Sequence, residues 1–458
     1  MKISLKTLSP LHIRSEDEAL DAWNSCLLGG KIVRIDADRF IRERADELSR
    51  YFNQTVVEGR SHLINDLIGG DLEESSKYGL YEIGCDQWVS NLLADAIATG
   101  KGYTIYGQIK TGGGEVYIPG SSIKGAIRTA LAGLAIREDP AICDEFLNVA
   151  ERTHRNALEG AELLEKIIFD CSMAVSDRDI MRVNPNYDLM RCIRISDSSA
   201  QSPSGVLRVI CFRYVQKSRG SIETRQSLRE PYFVEAIRPG ASFSCELDVD
   251  VPLLRKMWEM RNDKKWEGAD KKIKRLFGVV PDDFDEDSDL VDSIVKRIFR
   301  ACNRKSESIL ASANEFLGGV SDMKLHLDCM NALRMDMGNR AKYFCPACRR
   351  SGIEDDEVVT LKGLKEEAER LKNIVGTAEQ NSALLKLGWG TGYPGMTVSH
   401  DIDEGVIDEI LHIDAIRKST KKVLKRVRAG NYPKTKRIYT INGRPGGEFG
   451  WIQMRAES

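Results

Sequence analysis

Two short cysteine-containing patterns in the second half of the chain have the spacing of metal ligands. His326-Leu-Asp-Cys329 is followed, after fifteen residues, by Cys345-Pro-Ala-Cys348. Imidazole and thiolate ligands at this spacing form tetrahedral zinc sites, and four protein ligands leave no open position for a substrate. The pattern therefore predicts a structural zinc ion held by His326, Cys329, Cys345 and Cys348. The alternative is two unrelated cysteine pairs in a helical insertion, with His326 on the surface.

A second pattern, Val116–Arg128, places glycine, serine and basic residues at the start of a predicted helix. Unpaired backbone N–H groups and the positive end of the helix dipole make such a terminus suitable for a phosphate group. Lys124 and Arg128 are four residues apart and fall on one helix face, and Gly125 leaves room for a nucleic-acid backbone across the first turn. The candidate RNA-binding residues here are Ser121, Ser122, Lys124, Gly125 and Arg128.

This loop is not a nucleotide-binding P-loop. That motif requires G-x-x-x-x-G-K-[ST], whereas here Gly120 is followed by Ser121 and Lys124 by Gly125. We therefore do not expect a nucleotide-binding enzyme. The competing interpretation of the loop is an ordinary helix start, capped by Ser121 or Ser122 and carrying exposed basic residues.

A basic run, Arg417–Arg437, carries ten lysine and arginine residues and no acidic residue. Several of its lysines recur at three- and four-residue spacing, which predicts one face of a helix. A charged run is usually a solvated face, but the absence of acids over 21 residues favours a track for RNA phosphates. The glycine-rich stretch Leu387–Gly392 also suits a phosphate chain. These segments add the RNA-binding candidates Gly388, Gly390, Gly392, Lys421, Lys425, Lys434 and Lys436.

Few residues are arranged for catalysis. A metal-independent endoribonuclease would use His12, with His154 or Tyr106, as its acid and base groups. No acidic or nucleophilic residue lies at a sequence spacing from His154 that would indicate a catalytic pair. His12 lies at the end of a strand. Asp197 is the best acid and is better suited to ordering a turn. No Asp/Glu cluster has the spacing of a catalytic metal site, so we expect no catalytic residues and no enzymatic activity.

The composition is that of a folded, soluble protein. The chain of 458 residues is 42% hydrophobic and 30% charged, and this length suggests about two to four domain-sized units. A net charge of −2 argues weakly against a protein that coats nucleic acid everywhere, yet allows a local basic groove. No apolar run approaches the ~18 residues of a membrane span, and Met1–Pro10 alternates like a strand rather than a signal peptide. Eleven cysteines, mostly scattered singly, fit a reducing compartment, so we expect a cytoplasmic location.

Hydrophobic periodicity predicts the elements that position these residues. The spacing of Ile123, Ile127 and Leu134 predicts a helix over Ser121–Arg137, and Asp17–Leu67 is expected to be mostly helical. Strands are expected at Met1–Ile13, Lys31–Ile35, Tyr103–Ile109, Glu115–Ile118, Ile193–Ser199, Val206–Val215, Phe233–Ile237 and Ser242–Val249, the last two as a pair turned at Arg238–Gly240. Strand-rich segments crossed by single helices predict an α+β fold.

The string Ile118–Arg128 resembles the signature of the RAMP superfamily, the RNA-binding subunits of CRISPR effector complexes. Further segments that match in order are Leu8–Ile13, Arg194–Ser198, Tyr232–Gly240, Leu387–Gly392, Tyr432–Arg437 and Phe449–Trp451. Together they resemble the fifth Csm subunit of type III-A systems, which caps the CRISPR RNA (crRNA) at its 3′ end. The fourth Csm subunit, which holds the 5′ handle, has a similar loop. Leu254–Leu384, which contains the cysteine patterns, is poorly covered.

The resemblance implies two ferredoxin-like domains of the RNA-recognition type with helical insertions. We expect an N-terminal domain over residues 1–250, a charged helical insertion with the zinc site over 251–383, and the C-terminal part of the second domain over 384–458. No strand is rich in aromatic residues, so shape and phosphate contacts are the expected mode of RNA binding rather than base stacking.

The function implied by the resemblance is that of a non-catalytic scaffold subunit in prokaryotic antiviral defence. It would bind crRNA near its 3′ end and aid crRNA maturation and assembly of the complex. The implied partners are crRNA, the other Csm subunits, especially the repeating backbone subunit, and host nucleases. Two alternatives remain: a RAMP-type endoribonuclease that processes CRISPR RNA, and the sibling subunit that holds the 5′ handle.

Overall fold

The computed structural model of the chain describes residues 1–58, 64–68, 76–99, 103–152, 160–171, 184–218, 221–224, 232–263, 266, 268–318, 322–324, 358–360, 362–378, 380–414, 416–428 and 435–457. Its strands are β1 (Lys2–Thr7), β2 (Arg14–Asp21), β3 (Ser25–Leu28), β4 (Lys31–Ile35), β5 (Gly79–Cys85), β6 (Thr104–Gln108), β7 (Ile193–Ile195), β8 (Leu207–Ser218), β9 (Ser221–Thr224), β10 (Tyr232–Ile237), β11 (Ser242–Val249), β12 (Asp322–Lys324), β13 (Val358–Thr360), β14 (Ser382–Lys386), β15 (Thr435–Ile441), β16 (Arg444–Glu448) and β17 (Trp451–Ala456). Its helices are α1 (Ala37–Glu43), α2 (Ala45–Glu58), α3 (Ile64–Ile68), α4 (Gln87–Ala98), α5 (Gly120–Glu138), α6 (Ala141–Arg152), α7 (Gly160–Phe169), α8 (Pro203–Val206), α9 (Val251–Glu259), α10 (Ala269–Phe277), α11 (Asp287–Leu317), α12 (Lys362–Gly376), α13 (Gly392–Met396), α14 (Glu404–His412) and α15 (Lys418–Arg428).

The first sheet has five strands in the order β14-β17-β1-β11-β7, and every neighbouring pair is antiparallel. Ile3 and Leu5 of β1 are both buried, as the alternation of apolar and polar residues in this strand requires. Ile3 lies opposite Cys245 of β11, and Leu5 lies opposite Met454 of β17. The first strand therefore sits in the middle of the sheet, between two strands that are distant from it in sequence.

The long helices α5 and α11 pack against each other, and α11 also packs against β14. Ile123 and Ile127 on the apolar face of α5 share one core with Ile294 and Ile298 of α11. Burial of a large aliphatic side chain contributes about 1.5–3 kcal/mol, so this packing is a main source of stability for α5. The helix that carries the candidate phosphate-binding loop is thus fixed to the core along its length.

The second sheet follows the path β13-β12-β9-β8-β10-β6-β2. β8 is its centre, because this strand also pairs with β15 and, in parallel, with β5. One face of β8 carries Val209 and Cys211 into the main core, whereas Phe212 on the other face belongs to a separate aromatic cluster. One face of this sheet therefore packs against the main core, and the other face carries the separate aromatic cluster.

The structure confirms a mixed α+β fold and corrects several predicted elements. Asp17–Leu67 begins with strands, since β2 and β3 precede the predicted strand at Lys31–Ile35. β10 and β11 do not pair with each other: β10 pairs with β8 and β6, and β11 pairs with β1 and β7. The turn at Arg238–Gly240 instead carries the chain from the second sheet to the first.

The strands of residues 384–458 complete sheets that begin in residues 1–250. β17 pairs with β1 in the first sheet, and β15 pairs with β8 in the second. Segments from both ends of the chain therefore share each sheet, and the expected division into three ranges stays a prediction. Among the helices of the described ranges, none has both the length and the apolar character needed to cross a membrane.

Candidate nucleic-acid interface

Hydrogen bonds to a neighbouring segment hold the candidate phosphate-binding loop in place. The N–H of Ile118 donates to the Ser198 hydroxyl at 2.8 Å, and the N–H of Ser198 donates to the Ile118 carbonyl at 3.0 Å. Glu115–Ile118, predicted as a strand, forms isolated bridges through Val116 instead. The segment around Ser198 therefore fixes the path of the chain into α5.

A carboxylate from a distant part of the chain caps the first turn of α5. The residue before the helix is Pro119, whose side chain makes no capping hydrogen bond. The Gly120 N–H instead donates to Asp197 Oδ1 at 2.8 Å. A Cβ at position 120 would lie 2.3 Å from the Ile195 carbonyl oxygen, so this close approach requires glycine. The predicted cap by a serine of the first turn is wrong, whereas Asp197 does order a turn.

The first turn of α5 presents polar and cationic groups to solvent. Ser121 and Gly125 are exposed, and Ser122 and Lys124 are half-buried. No atom of the described ranges lies within 4 Å of where a Cβ of Gly125 would stand. Burial lowers the pKa of Lys124, and the nearby Asp188 carboxylate raises it. This arrangement suits a phosphate lying beside the first turn.

Arg128 is engaged with the protein itself. Its guanidinium donates to Asp188 Oδ2 at 2.7 Å and to Glu165 Oε2 at 3.4 Å. It also lies over the ring of Phe169, 3.8 Å from the centroid. Two carboxylates and an aromatic ring bind this side chain to α7 and its surroundings, so its main role in the structure is to position α5.

Close packing explains two glycines of the glycine-rich stretch. A Cβ on Gly388 would lie 2.4 Å from the His12 carbonyl oxygen, to which the Trp389 N–H donates at 2.8 Å. A Cβ on Gly390 would lie 2.1 Å from Cβ of Phe449. Gly392 has a positive φ of 69° and begins α13. Gly388 and Gly390 therefore let this stretch pack against the end of the opening strand segment and against Phe449.

The predicted basic helix is present as α15 (Lys418–Arg428). Leu424 is buried on its inner face, Lys425 is exposed and Lys421 is half-buried. Arg428 pairs with Asp408 of α14 at 2.6 Å, which fastens the end of the helix to its neighbour. The lysines of α15 thus lie on a helix with one face packed on the protein, as the spacing predicts.

Lys436, a further RNA-binding candidate, is paired with an acidic residue of the protein. It lies in β15, where its ammonium pairs with Glu448 of β16 at 2.6 Å, and its side chain is 9% exposed. Glu448 also pairs with Lys386 of β14. Although burial alone raises the pKa of Glu448, the two ammonium groups lower it to about 2. Lys436 thus forms an ion pair within the protein, and its assignment to RNA binding stays a prediction, as does that of Lys434, which lies outside the described residues.

Two of the predicted RNA-binding segments, on α5 and α15, border one cavity of about 460 Å³. Thr129 and Arg128 of α5 line one wall, Tyr393 of α13 follows the glycine-rich stretch, and Thr420 and Val423 of α15 line another wall. The cavity is largely apolar inside, and Arg128 is the one basic side chain among its described lining residues. Segments that are about 300 residues apart in sequence are thus brought together.

Two of the groups considered for a nuclease, His12 and Asp197, are engaged in hydrogen bonds within the protein. His12 is buried, and its Nδ1 donates to the Glu235 carbonyl oxygen at 2.6 Å. Burial lowers the pKa of His12 to about 4, so the ring is neutral at pH 7. Asp197 is engaged with Gly120, and His154 lies outside the described residues.

The predicted zinc ligands His326, Cys329, Cys345 and Cys348 also lie outside the described residues. In the ranges that the structure covers, no group of three or more His, Cys, Asp or Glu side chains could hold a metal ion. The zinc site stays a prediction from the spacing of its four residues.

The second sheet carries an aromatic cluster that the sequence patterns did not predict. Tyr106, Phe212, Tyr214 and Tyr232 come from three neighbouring strands and meet Trp389 from the glycine-rich stretch. No single strand is rich in aromatic residues, but three neighbouring strands together bring these rings into one cluster. Phe212 and Tyr214, two residues apart in β8, were the available signal, since alternate residues of a strand share one face.

Solved structures with a similar fold cover almost the whole chain. Csm5 of T. onnurineus has a TM-score of 0.55 and 18% identity, covering 98% of this chain and 99% of that chain. A chain of a Csm-crRNA-target RNA ternary complex in a type III-A CRISPR-Cas system has a TM-score of 0.59 and 19% identity, covering 99% and 100%. No curated protein matches the sequence. The family model of the RAMP superfamily matches residues 4–300, and this protein is therefore a member of the RAMP superfamily.

Proposed function

We propose that this protein is a non-catalytic RNA-binding scaffold subunit of a type III-A CRISPR effector complex and that it binds crRNA near its 3′ end. The observation that carries the proposal is the similarity of its fold, over 99% of the chain, to a chain of a Csm-crRNA-target RNA complex. Similarity to Csm5 over 98% of the chain supports the particular subunit. The partners we propose are crRNA, the other Csm subunits, above all the repeating backbone subunit, and host nucleases that trim the RNA end.

The proposed RNA contacts lie on two helices that border the same cavity. On α5, Ser121, Gly125 and Lys124 are accessible beside the first turn, where a hydroxyl and an ammonium suit a phosphate. On α15, Lys421 and Lys425 extend the positive surface. Phosphate contacts of this kind position an RNA strand without reading its sequence, as a scaffold requires.

Two structural features complete the proposal. The two sheets would correspond to the two ferredoxin-like domains expected of the superfamily, with the C-terminal strands shared between them. A structural zinc ion would be held by His326, Cys329, Cys345 and Cys348. With four protein ligands it would stabilise its segment and supply no chemistry.

The RNA contacts can be tested with charge reversal on α15. The Lys421→Glu/Lys425→Glu variant should bind crRNA at least tenfold more weakly than wild type at 0.1 M salt. Its salt slope should fall by about 0.7 for each phosphate that the variant no longer neutralises. The matched control is Lys256→Glu/Lys271→Glu, which makes the same charge change on exposed lysines of α9 and α10. Equally weakened binding by both variants, measured by fluorescence anisotropy, would contradict the assignment of α15 to RNA binding.

The absence of catalysis has its own test. Purified protein incubated with crRNA, with and without divalent metal, should leave the RNA intact on a denaturing gel. Cells that lack the protein should contain crRNA with altered 3′ ends or an incomplete complex. Reproducible cleavage that disappears in His12→Ala would overturn the scaffold proposal in favour of an endoribonuclease.

A further inference from the structure

We propose that Tyr106, Tyr232, Tyr214 and Trp389 form a stacking platform for the bases of single-stranded RNA, with Arg14 and Arg437 at its two ends. The inference rests on the proposed function, because it takes RNA to be the ligand, and it adds where bases would bind and by what chemistry. The platform lies on the second sheet and uses residues other than the phosphate-binding candidates of α5 and α15.

Strand register places these side chains on one face of the sheet. Tyr232 of β10 lies opposite Phe212 of β8, and Arg437 of β15 lies opposite Tyr214, two residues further along β8. Directly opposite residues, and residues two apart on one strand, point to the same side of a sheet. Tyr106 of β6 is paired in parallel with Val234, which follows Tyr232 by two residues. All of these residues therefore face the same way.

The rings form a stacked row across three strands. Tyr106 and Tyr232 have centroids 6.3 Å apart and planes inclined by 25°, and Tyr232 and Phe212 have centroids 5.1 Å apart and planes inclined by 18°. Tyr214 meets Tyr232 edge-on at 5.6 Å. Such a row continues naturally with another flat ring, because every nucleobase offers an aromatic face for stacking.

An arginine lies at each end of the row. The Arg14 guanidinium stands over Tyr106, 4.8 Å from its centroid, and Arg14 is exposed. The Arg437 guanidinium stands 4.9 Å from the Trp389 centroid and 5.3 Å from that of Tyr214. Guanidinium planes stack on bases and bind phosphates, so the combination of aromatic rings with flanking arginines fits single-stranded RNA. This positive flanking charge favours RNA over an apolar protein segment as the occupant.

The platform is rigid before any ligand arrives. Phe212 and Tyr439 are buried on the same face beside it, Phe449 packs edge-on against both, and Trp389 packs edge-on against Phe212 at 4.9 Å. The backbone of Trp389 is fixed at both ends, because its N–H donates to the His12 carbonyl and its own carbonyl accepts from Arg437. Tyr106, Tyr214, Tyr232 and Trp389 themselves are half-buried rather than fully buried. A surface that is already ordered loses little entropy on binding.

The test compares ring removal with ring retention. In Tyr106→Leu and Tyr232→Leu the aromatic face is removed and apolar bulk is kept, whereas Tyr106→Phe and Tyr232→Phe keep the face. The leucine variants should bind a single-stranded RNA of about ten nucleotides roughly five- to hundredfold more weakly, and the phenylalanine variants should bind like wild type. Tyr187→Leu, which alters a half-buried tyrosine packed on Trp266, is the control. Thermal denaturation establishes that each variant is folded.

Stacking and phosphate binding are then separated by two readouts. A 2-aminopurine base in the RNA should be quenched on binding wild type and less so on binding the leucine variants, whose salt slopes stay unchanged. Arg14→Gln should instead lower the salt slope by about 0.7. Folded leucine variants with wild-type affinity and quenching would overturn the platform, as would a defect confined to assembly with protein subunits. Failure of the wild type itself to bind RNA would contradict the proposed function rather than the platform alone.

Discussion

The carboxylate of Asp197 accepts a hydrogen bond from the backbone N–H of Gly120 at 2.8 Å, across a separation of 77 residues. It places a negative charge of the protein at the positive end of α5, where a phosphate would otherwise be attracted most strongly. An RNA phosphate must therefore lie beside the first turn, near Lys124 and Gly125, rather than on the helix axis. Asp197 orders the loop and at the same time limits its affinity for anions.

Replacing this carboxylate by its amide should strengthen RNA binding. Asp197→Asn keeps an oxygen that accepts from Gly120 and removes the charge, so crRNA affinity at low salt should rise roughly two- to fivefold. The gain should fade at high salt, because screening weakens it. Asp197→Ala, which also removes the cap, should lower the free energy of unfolding by about 1 kcal/mol. Asp248→Asn, at an exposed position of β11, is the control, and equal or weaker binding by Asp197→Asn would contradict this prediction.

Substitutions of Lys124 and Arg128 should have different effects, because Lys124 is proposed to contact RNA whereas Arg128 positions α5. Lys124→Ala should lower the salt slope of RNA binding by about 0.7 and leave the melting temperature near that of wild type. Arg128→Ala should lower the free energy of unfolding by about 1–2 kcal/mol, because it removes the ion pair with Asp188 and the cation–π contact with Phe169. Arg128→Lys should not restore that stability fully, since lysine lacks the planar guanidinium. An Arg128→Ala protein as stable as wild type would show that these interactions contribute little.

Two buried groups should give opposite dependences of stability on pH. Burial lowers the pKa of His12 from 6.5 to about 4, so the folded protein binds fewer protons than the unfolded chain in this range and stability rises with pH. Burial raises the pKa of Glu367 from 4.5 to about 7, so the folded protein binds more protons and stability falls as pH rises. Each effect is at most about 3 kcal/mol, and in wild type the two largely offset each other.

Single substitutions should reveal the pH dependence of stability that each of the two groups contributes. Glu367→Gln keeps an acceptor for the Tyr439 hydroxyl and should exceed wild type in free energy of unfolding by about 1–3 kcal/mol at pH 8, with the difference vanishing near pH 4.5. His12→Asn should remove the rise between pH 4 and 6.5, whatever its absolute stability. Urea titrations over pH 4–8 measure both. Parallel pH profiles for wild type and Glu367→Gln would contradict the assignment of a raised pKa to Glu367.

The cysteine patterns predict about one equivalent of zinc in protein purified without a polyhistidine tag, since a four-ligand site binds tightly. Cys345→Ser and Cys348→Ser should each lose the metal and lower the melting temperature, and a strong chelator should do the same to wild type. Cys85→Ala, outside the pattern, is the control and should retain the metal. Wild-type protein that is metal-free, well folded and indifferent to chelator would contradict the zinc site.

Local periodicity was sufficient to predict the elements with a strong apolar pattern. The helix predicted at Ser121–Arg137 is observed as Gly120–Glu138, because its apolar residues recur at helical spacing and pack on α11. The strand predicted at Lys31–Ile35 has these same bounds in the structure. β2 was not predicted, because it ends the path of the second sheet and is rich in acidic residues that do not alternate with apolar ones.

Features built from distant segments could not be predicted from local pattern. The cap of α5 depends on Asp197, and the stacked row depends on the pairing of β10 with both β8 and β6. The ion pair of Lys436 with Glu448 was not predicted, because Glu448 lies on the neighbouring strand, where strand pairing makes the two side chains neighbours. Charge counted along the sequence cannot distinguish a lysine paired within a sheet from one that faces solvent.

The central position of β1 in the first sheet has a consequence for folding during synthesis. β1 is flanked by β11 and β17, so residues 2–7 obtain their last neighbour only when residues 451–456 have left the ribosome. Pairings of such high sequence separation form slowly, because long loops must close before the strands can pair. Until then one side of β1 is an unpaired strand edge, which invites pairing with other chains. A nascent chain of this protein therefore depends on early protection of its first strand, by chaperones or by rapid completion of translation.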